Sequence, residues 1–329
     1  MSSLSERKQW IIYGLLAGSL VFNASHIFSS EEEALVEEEV EQILPEDIEE
    51  GIVQAEIEEE PVQLLSSEWK VVKTSISHSL TRSFNSVGVE KADALSMVIS
   101  RLFVWDINMA RDLQKGDQIE VIYRIGDDGH PDIGAARLTS KKHSKTYTAF
   151  KWQAPKDKFA SHWSFDGTEN HHKLKNSPIA EYEQITSLLK DGRGHKGMDF
   201  KAPVGTETIT PKSGRITRVN FGNFRYNGNC VEVEFSDGTL AKYLHMEKIL
   251  VNEGDYVKAG TAIALVGNTG RSYAPHLHYQ LNKGSRVIDP VDYHGTIRRK
   301  LSDSSIPDFL RDIGPYINAL DNDLVSAGL

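Results

Sequence analysis

Pro275-His276-Leu277-His278-Tyr279-Gln280 is the stretch from which the fold and the chemistry of this chain are best predicted. The stretch is typical of a β-strand, in which residues two apart point to the same face. His276 and His278 are therefore expected to project side by side. Two converging neutral imidazoles suit a Zn²⁺ ion, or a metal ligand beside a proton-transfer group. The pair alone does not decide whether both histidines bind a metal ion or only one of them does. A metal site also requires ligands from elsewhere in the chain.

Two other short segments supply such ligands. Gly194-His195-Lys196-Gly197-Met198-Asp199 is typical of a turn that enters a strand, and Lys242-Tyr243-Leu244-His245 ends another strand. A catalytic zinc site has three protein ligands and leaves one position for water. Five candidates exceed that number, and a hydrolase uses additional imidazoles for proton transfer. Any one of the five could be an ordinary strand or loop residue, but the five together favour a metal site.

The region around these segments, from 194 to about 293, consists of short alternating runs separated by glycines. Val231–Phe235, the turn Ser236-Asp237-Gly238 and Thr239–His245 predict a β-hairpin with an Asp-Gly turn. No segment here is typical of a long amphipathic helix. The sequence therefore predicts an antiparallel β domain.

The chain has 329 residues, a length sufficient for two domains with appendages. Its charged residues are unevenly distributed along the sequence. The formal net charge is −10, but residues 31–60 hold 15 of the 47 acidic residues and no Lys or Arg. The remainder has 32 acidic residues against 37 Lys and Arg, a net charge of +5, which suits an anionic polymer or a membrane surface. Cys230 is the single cysteine, which excludes an intramolecular disulfide and a cysteine-based zinc site.

The first 30 residues are predicted to be a signal peptide or a signal-anchor helix. Trp10–Phe28 is almost wholly apolar and close to the length that spans a bilayer, with Arg7 and Lys8 on its cytoplasmic side. An uncleaved anchor is the preferred interpretation, and cleavage is the alternative. Residues 31–65 are predicted to be an acidic, disordered linker.

Four further segments complete the predicted organisation. Residues 66–152 predict a small α+β module, and 153–193 a connecting segment in which His162, His171 and His172 are linker residues. Residues 194–295 are the β domain. Residues 296–329 predict a helical tail that Pro315 interrupts or restarts.

Three separated motifs, in order, resemble the lysostaphin/LytM-type zinc metallopeptidases, which are peptidoglycan endopeptidases. They are Gly194–Asp199, Tyr243-Leu244-His245 and Gly267–His278. The resemblance covers about residues 165–293 and implies a mainly β, LytM-type catalytic domain with an antiparallel sheet. The small α+β module resembles a LysM/OapA-type region, so the layout is similar to that of Gram-negative envelope murein DD-endopeptidases.

The resemblance also implies roles for individual residues. His195, Asp199 and His278 match the ligands of one Zn²⁺ ion per catalytic domain. His276 and His245 match the two other histidines, one as general base and the other as support for the oxyanion; His276 is the preferred base, but the division stays open. Candidates for substrate contact are Tyr243 and Arg225, and surface packing is the alternative for the Arg225 loop.

The expected function is hydrolysis of peptidoglycan peptide cross-links, at the D-Ala–diaminopimelate bond, during cell-wall growth or remodelling. The expected partners are peptide stems and, through the N-terminal segment, the inner membrane, with no nucleic acid. The protein would face the periplasm from a membrane anchor, or be exported there after cleavage. A non-catalytic envelope regulator is the alternative. The 66–152 module would position the catalytic domain, occlude its groove, or serve as a glycan-binding anchor.

Overall fold

The computed structural model describes residues 65–189, 194–221 and 226–321. The predicted membrane segment, the acidic linker up to residue 64 and Arg225 lie outside these ranges. Within them, no helix is both long and apolar enough to cross a membrane.

Strands dominate the described part of the chain. They are β1 Lys70–Ser75, β2 Gln118–Ile125, β3 Pro131–Ser140, β4 Lys145–Trp152, β5 Ser161–Trp163, β6 Lys173–Leu174, β7 Gln184–Ser187, β8 Met198–Lys201, β9 Glu207–Ile209, β10 Gly214–Asn220, β11 Asn229–Phe235, β12 Leu240–Ile249, β13 Tyr256–Val257, β14 Ala262–Val266, β15 His276–Lys283, β16 Arg286–Ile288 and β17 Thr296–Ile297. The helices are α1 Leu80–Ser86, α2 Ala92–Phe103, α3 Met109–Asp112, α4 Pro290–His294 and α5 Ile306–Asp321.

The first sheet is an antiparallel ribbon in the order β1-β2-β3-β4-β5. Ser79 caps the N-terminus of helix α1, and its hydroxyl oxygen accepts a hydrogen bond from the Arg82 amide at 3.3 Å. Helix α2 buries Leu95, Ile99 and Leu102, the spacing of one helical face, against strands of this sheet. These residues form an α+β unit, and its last strand lies in the segment predicted as a connection.

The second sheet has ten strands and carries the sequence motifs. Its main path is β13-β10-β11-β12-β15-β8-β7, with β14 beside β12, β9 beside β14 and β16 beside β15. All these pairs are antiparallel, and alternate residues fill one buried core that includes Phe200, Tyr243 and Tyr279. The prediction of a mainly antiparallel β domain is confirmed.

The C-terminal tail packs on the first sheet. Phe309, Ile313 and Leu320 of α5 are buried in a cluster with Phe150 and Trp163 of β4 and β5. The prediction that Pro315 interrupts this helix is wrong, since α5 continues through it. The buried face extends on both sides of the proline. Arg311, whose carbonyl loses its helical partner, is exposed and can be solvated.

Candidate metal centre

Strand pairing places three of the five candidate residues on one face of the second sheet. In the β8–β15 pair, His278 lies opposite Asp199 and Leu277 lies opposite Phe200. Residues opposite each other in an antiparallel pair share a face, and successive residues alternate. Leu277 and Phe200 are buried in the core. His276, His278 and Asp199 therefore point to the other face.

Three donor atoms form a triangle on this face. His195 Nε2 lies 3.1 Å from Asp199 Oδ1 and 3.0 Å from His278 Nδ1, and His278 Nδ1 lies 2.9 Å from Asp199 Oδ1. Both imidazoles could donate a hydrogen bond to the carboxylate. If both do so, however, no hydrogen bond accounts for the short distance between His195 Nε2 and His278 Nδ1. Ligands about 2.0 Å from a tetrahedral zinc ion lie about 3.3 Å apart. The triangle, with two imidazoles and one carboxylate, fits the zinc ion that the family resemblance implies.

His195 reaches the triangle from the loop that precedes β8. This loop passes close to β15, and a Cβ atom added to Gly197 would lie 2.9 Å from His278 Nε2 and would also clash with the Tyr279 carbonyl oxygen. Glycine is therefore required at this position for His195 and His278 to approach each other. The rings of His195 and His278 meet nearly edge to face, with centroids 4.8 Å apart.

His245 joins the site through an irregularity in β12. Tyr243 lies opposite Val231 and Met246 opposite Asn229, so that β12 has one residue more than β11 between these pairs. His245 itself has a φ of 70°, in the left-handed region. In a regular strand, His245 would share the core face with Tyr243. The bulge turns it to the metal face instead, where its ring lies 4.8 Å from that of His276 and 6.1 Å from that of His278.

Backbone carbonyls fix the tautomers of His245 and His276. His245 Nδ1 lies 2.9 Å from the Thr269 carbonyl oxygen, and His276 Nδ1 lies 2.8 Å from that of Ala274. A carbonyl only accepts, so Nδ1 carries the proton in both rings. In the uncharged form of either ring, Nε2 is then a proton acceptor. Nε2 of His276 lies 3.8 Å from Asp199 Oδ1.

The charges of the site follow from burial and hydrogen bonding. Burial raises the pKa of the Asp199 carboxyl, but its close contacts with the imidazoles of His195 and His278 outweigh this effect and hold the pKa well below its usual range. Burial lowers the pKa of His245 to about 4. The site therefore contains an ionised carboxylate beside a neutral His245.

Of the two candidates for substrate contact, Tyr243 and Arg225, the structure describes only Tyr243. Tyr243 is fully buried, and its hydroxyl donates to the Ile209 carbonyl at 3.1 Å. The structure contradicts a substrate contact by Tyr243, because its ring is buried in the core against the ring of Tyr279. Arg225 lies outside the described residues.

The histidines of the predicted connecting segment contact β3 of the first sheet and the turn that follows α2. His162 Nε2 lies 3.0 Å from the Ile133 carbonyl oxygen of β3, and His172 stacks on Trp105, with ring centroids 4.6 Å apart. His171 is buried beside His162. None of the three is part of the described metal triangle.

Sequence reasoning missed Ser187, whose hydroxyl lies 2.8 Å from His195 Nδ1. A signal for it exists in the resemblance, because family members often have a Ser-x-Phe-Gly segment before the first motif. Here the segment from Ile185 to Arg193 is only a distant echo of that pattern, in which Ser187 is retained.

Comparison with known proteins agrees with the motif analysis. Residues 193–290 match the family model described as Peptidase family M23. The chain is 28% identical to "Peptidoglycan DD-endopeptidase ShyC" of Vibrio cholerae over 64% of its own length and 51% of the relative's. It is 30% identical to "Peptidoglycan DD-endopeptidase ShyA" of the same organism, over 68% and 53%. The chain thus spans about half the length of these relatives.

Among solved structures, that of lysostaphin from Staphylococcus simulans matches 36% of this chain and 50% of its own. The identity is 32% and the TM-score 0.32. Residues 193–290 form a Peptidase family M23 domain, and the predicted resemblance to lysostaphin/LytM-type peptidases is confirmed.

Proposed function

We propose that this chain is a zinc-dependent endopeptidase that hydrolyses the peptide cross-links of peptidoglycan. The observation that carries the proposal is the triangle of His195, Asp199 and His278 donor atoms with two further imidazoles beside it. The family match and the names of the Vibrio cholerae relatives support the substrate class. They also support a DD-endopeptidase, for which the bond is D-Ala–diaminopimelate.

The three donors of the triangle would hold the zinc ion. Bound there, zinc supplies Lewis acidity towards a water molecule and towards the scissile carbonyl. His276 is the proposed general base, since its Nε2 is an acceptor and lies 3.8 Å from Asp199 Oδ1 of the triangle. The same nitrogen can then deliver the proton to the departing amine.

His245 has the proposed role of support for the oxyanion. The single ring proton of neutral His245 is on Nδ1, which donates a hydrogen bond to the Thr269 carbonyl. His245 can therefore donate from Nε2 only after it gains a second proton. Burial opposes that gain in the resting protein, since it lowers the pKa of His245 to about 4. A negative charge that develops beside the ring during the reaction would favour it.

The test uses defined, cross-linked muropeptide dimers and the purified chain, with products identified by mass spectrometry. The expected result is cleavage into monomers with a new D-Ala carboxylate, and loss of cleavage with a chelator. His276→Ala should keep one zinc ion per chain and lose about 10²- to 10⁴-fold in rate. His130→Ala, at an exposed turn remote from the motifs, is the matched control and should act as wild type.

Two outcomes would contradict the proposal. Intact dimers after incubation with the zinc-loaded chain would exclude the endopeptidase and favour the non-catalytic regulator. Stoichiometric loss of zinc from His276→Ala would show that the ligand assignment is wrong.

The location of the protein is proposed from its N-terminal segment. We infer that Trp10–Phe28 holds the chain in the inner membrane with the M23 domain in the periplasm. The intact mass of the cell-derived protein tests this, because a chain that begins near residue 26 would indicate a cleaved signal peptide. Occlusion of the groove by the 66–152 module stays a prediction.

A further inference from the structure

Ser187 contacts the ring of His195 on the side away from the metal triangle. Its hydroxyl oxygen lies 2.8 Å from His195 Nδ1, whereas the Leu188 carbonyl oxygen lies 3.4 Å from the same nitrogen. The Ser187 side chain is buried, with 6% of the residue exposed. The serine is therefore the nearer of these two partners and is largely shielded from water.

A bulge between β7 and β8 turns this serine towards the metal face. Ile185 lies opposite Phe200, and Ser187 lies opposite Asp199. Between these two pairs, β7 therefore contains one residue more than β8. Ile185 and Phe200 are both in the core. In a regular strand Ser187 would share that core face with Ile185. The bulge instead places it on the face that Asp199 occupies.

The chemistry of the contact follows from the triangle. His195 directs Nε2 towards Asp199 and His278, so a metal ion there needs the lone pair of that nitrogen. The proton of the neutral ring must then be on Nδ1, where the Ser187 oxygen can accept it. Such a contact fixes both the tautomer and the orientation of a histidine ligand.

We propose that Ser187 is a positioning residue, which holds His195 in the tautomer and orientation that bind the metal ion. The inference rests on the proposed zinc site. It concerns metal affinity, because Ser187 acts through His195 and does not touch the reacting atoms. The Leu188 carbonyl remains as a longer acceptor when the hydroxyl is removed, so the effect on affinity should be graded rather than complete.

The test compares full-length wild type with Ser187→Ala, Ser187→Thr and Ser213→Ala. Zinc affinity is measured by competition with a chromophoric chelator, and the geometry of the site from the visible spectrum of the Co²⁺-substituted protein. Unfolding of each metal-free protein is measured in parallel. Ser213 is the matched control, since its hydroxyl accepts from the Ala259 amide away from the triangle.

The expected result is a loss of zinc affinity of about 10-fold or more in Ser187→Ala. The Co²⁺ spectrum should change, and the stability of the metal-free protein should stay as in wild type. Ser187→Thr, which keeps a hydroxyl, should recover most of the affinity, and Ser213→Ala should bind as wild type.

Three results would overturn the inference. Wild-type affinity in Ser187→Ala would exclude a positioning role and leave the proposed function intact. A loss of metal-free stability that accounts for the lost affinity would assign Ser187 a structural role. A wild-type protein that binds no zinc would reject the proposed function together with the inference.

Discussion

The imidazole rings of His245 and His276 lie with their centroids 4.8 Å apart, tilted by 45°. The two residues come from strands β12 and β15, which are direct neighbours in the second sheet. Their meeting depends on the φ of 70° at His245 and on the extra residue of β12. The backbone of a non-glycine residue is therefore held in a costly conformation at the point where the site needs its side chain.

The backbone of His245 makes the relative stability of two variants predictable. Glycine usually destabilises a strand relative to alanine by about 0.5–1 kcal/mol. At a left-handed φ the order reverses, because a Cβ atom there costs about 1–2 kcal/mol. His245→Gly should therefore have a free energy of unfolding about 1 kcal/mol higher than His245→Ala, measured by denaturant titration with a chelator present.

The control for this comparison is the exposed Lys248 of the same strand, which does not have a positive φ. There the glycine variant should be less stable than the alanine variant. If His245→Gly also proved the less stable of its pair, the left-handed conformation of His245 would not hold in solution.

The close approach of Gly197 to β15 predicts the effect of one added methyl group. Gly197→Ala would bring its Cβ atom against the Tyr279 carbonyl and within 2.9 Å of His278 Nε2. We expect a loss of stability of about 1–3 kcal/mol and a weaker affinity for zinc, because either strand β15 or the His195 loop must move. Denaturant unfolding and zinc titration measure the two effects.

The matched substitution is Gly314→Ala in helix α5. A Cβ atom at Gly314 meets no atom within 4 Å, and alanine is the better helix former. This variant should be slightly more stable than wild type and bind zinc equally well. Equal zinc affinity in Gly197→Ala and wild type would contradict the packing described here.

The buried His294 predicts a loss of stability in acid. It lies against the Tyr279 hydroxyl at 3.0 Å, and burial, together with the charge of Lys212, lowers its pKa from 6.5 to about 4, while Asp237 opposes this shift. The unfolded chain binds the proton first as the pH falls, so stability decreases between pH 6.5 and 4. Across this whole pH range, the protonation of His294 should lower the free energy of unfolding by about 3 kcal/mol.

The measurement is the free energy of unfolding at several pH values for wild type and His294→Gln, in which the amide does not titrate. The variant should lose less stability than wild type between pH 7 and 5. His78→Gln, at an exposed position, should follow wild type. Parallel curves for wild type and His294→Gln would show that His294 is not held neutral by the fold.

The packing of the tail on the first sheet predicts a large effect at Phe309. Its ring is fully buried and meets Trp152 nearly edge to face, with centroids 5.5 Å apart. Phe309→Ala should reduce the free energy of unfolding by about 3–5 kcal/mol. Arg311→Ala, on the exposed side of the same helix, should change it by less than about 0.5 kcal/mol. A small effect at Phe309 would mean that the tail is detached in solution.

The sequence by itself determined the β domain and the five residues of the candidate site. His276 and His278 share a face because the alternation of a strand is a local property, and the Asp-Gly turn predicts its hairpin from the same local geometry. The order and spacing of the three motifs then indicated the family. The tail helix was also predictable, but its passage through Pro315 was not, because packing of Phe309, Ile313 and Leu320 on another sheet decides it.

The tertiary structure alone decided which faces His245 and Ser187 occupy. A regular alternation would place both on the core side, beside Tyr243 and Ile185 respectively. Each reaches the metal face through a bulge, which depends on the register between neighbouring strands and leaves no periodic signal in either strand. The close contact at Gly197 is likewise a property of two segments brought together by the sheet. Local alternation is encoded residue by residue, whereas register is set only when distant strands pair.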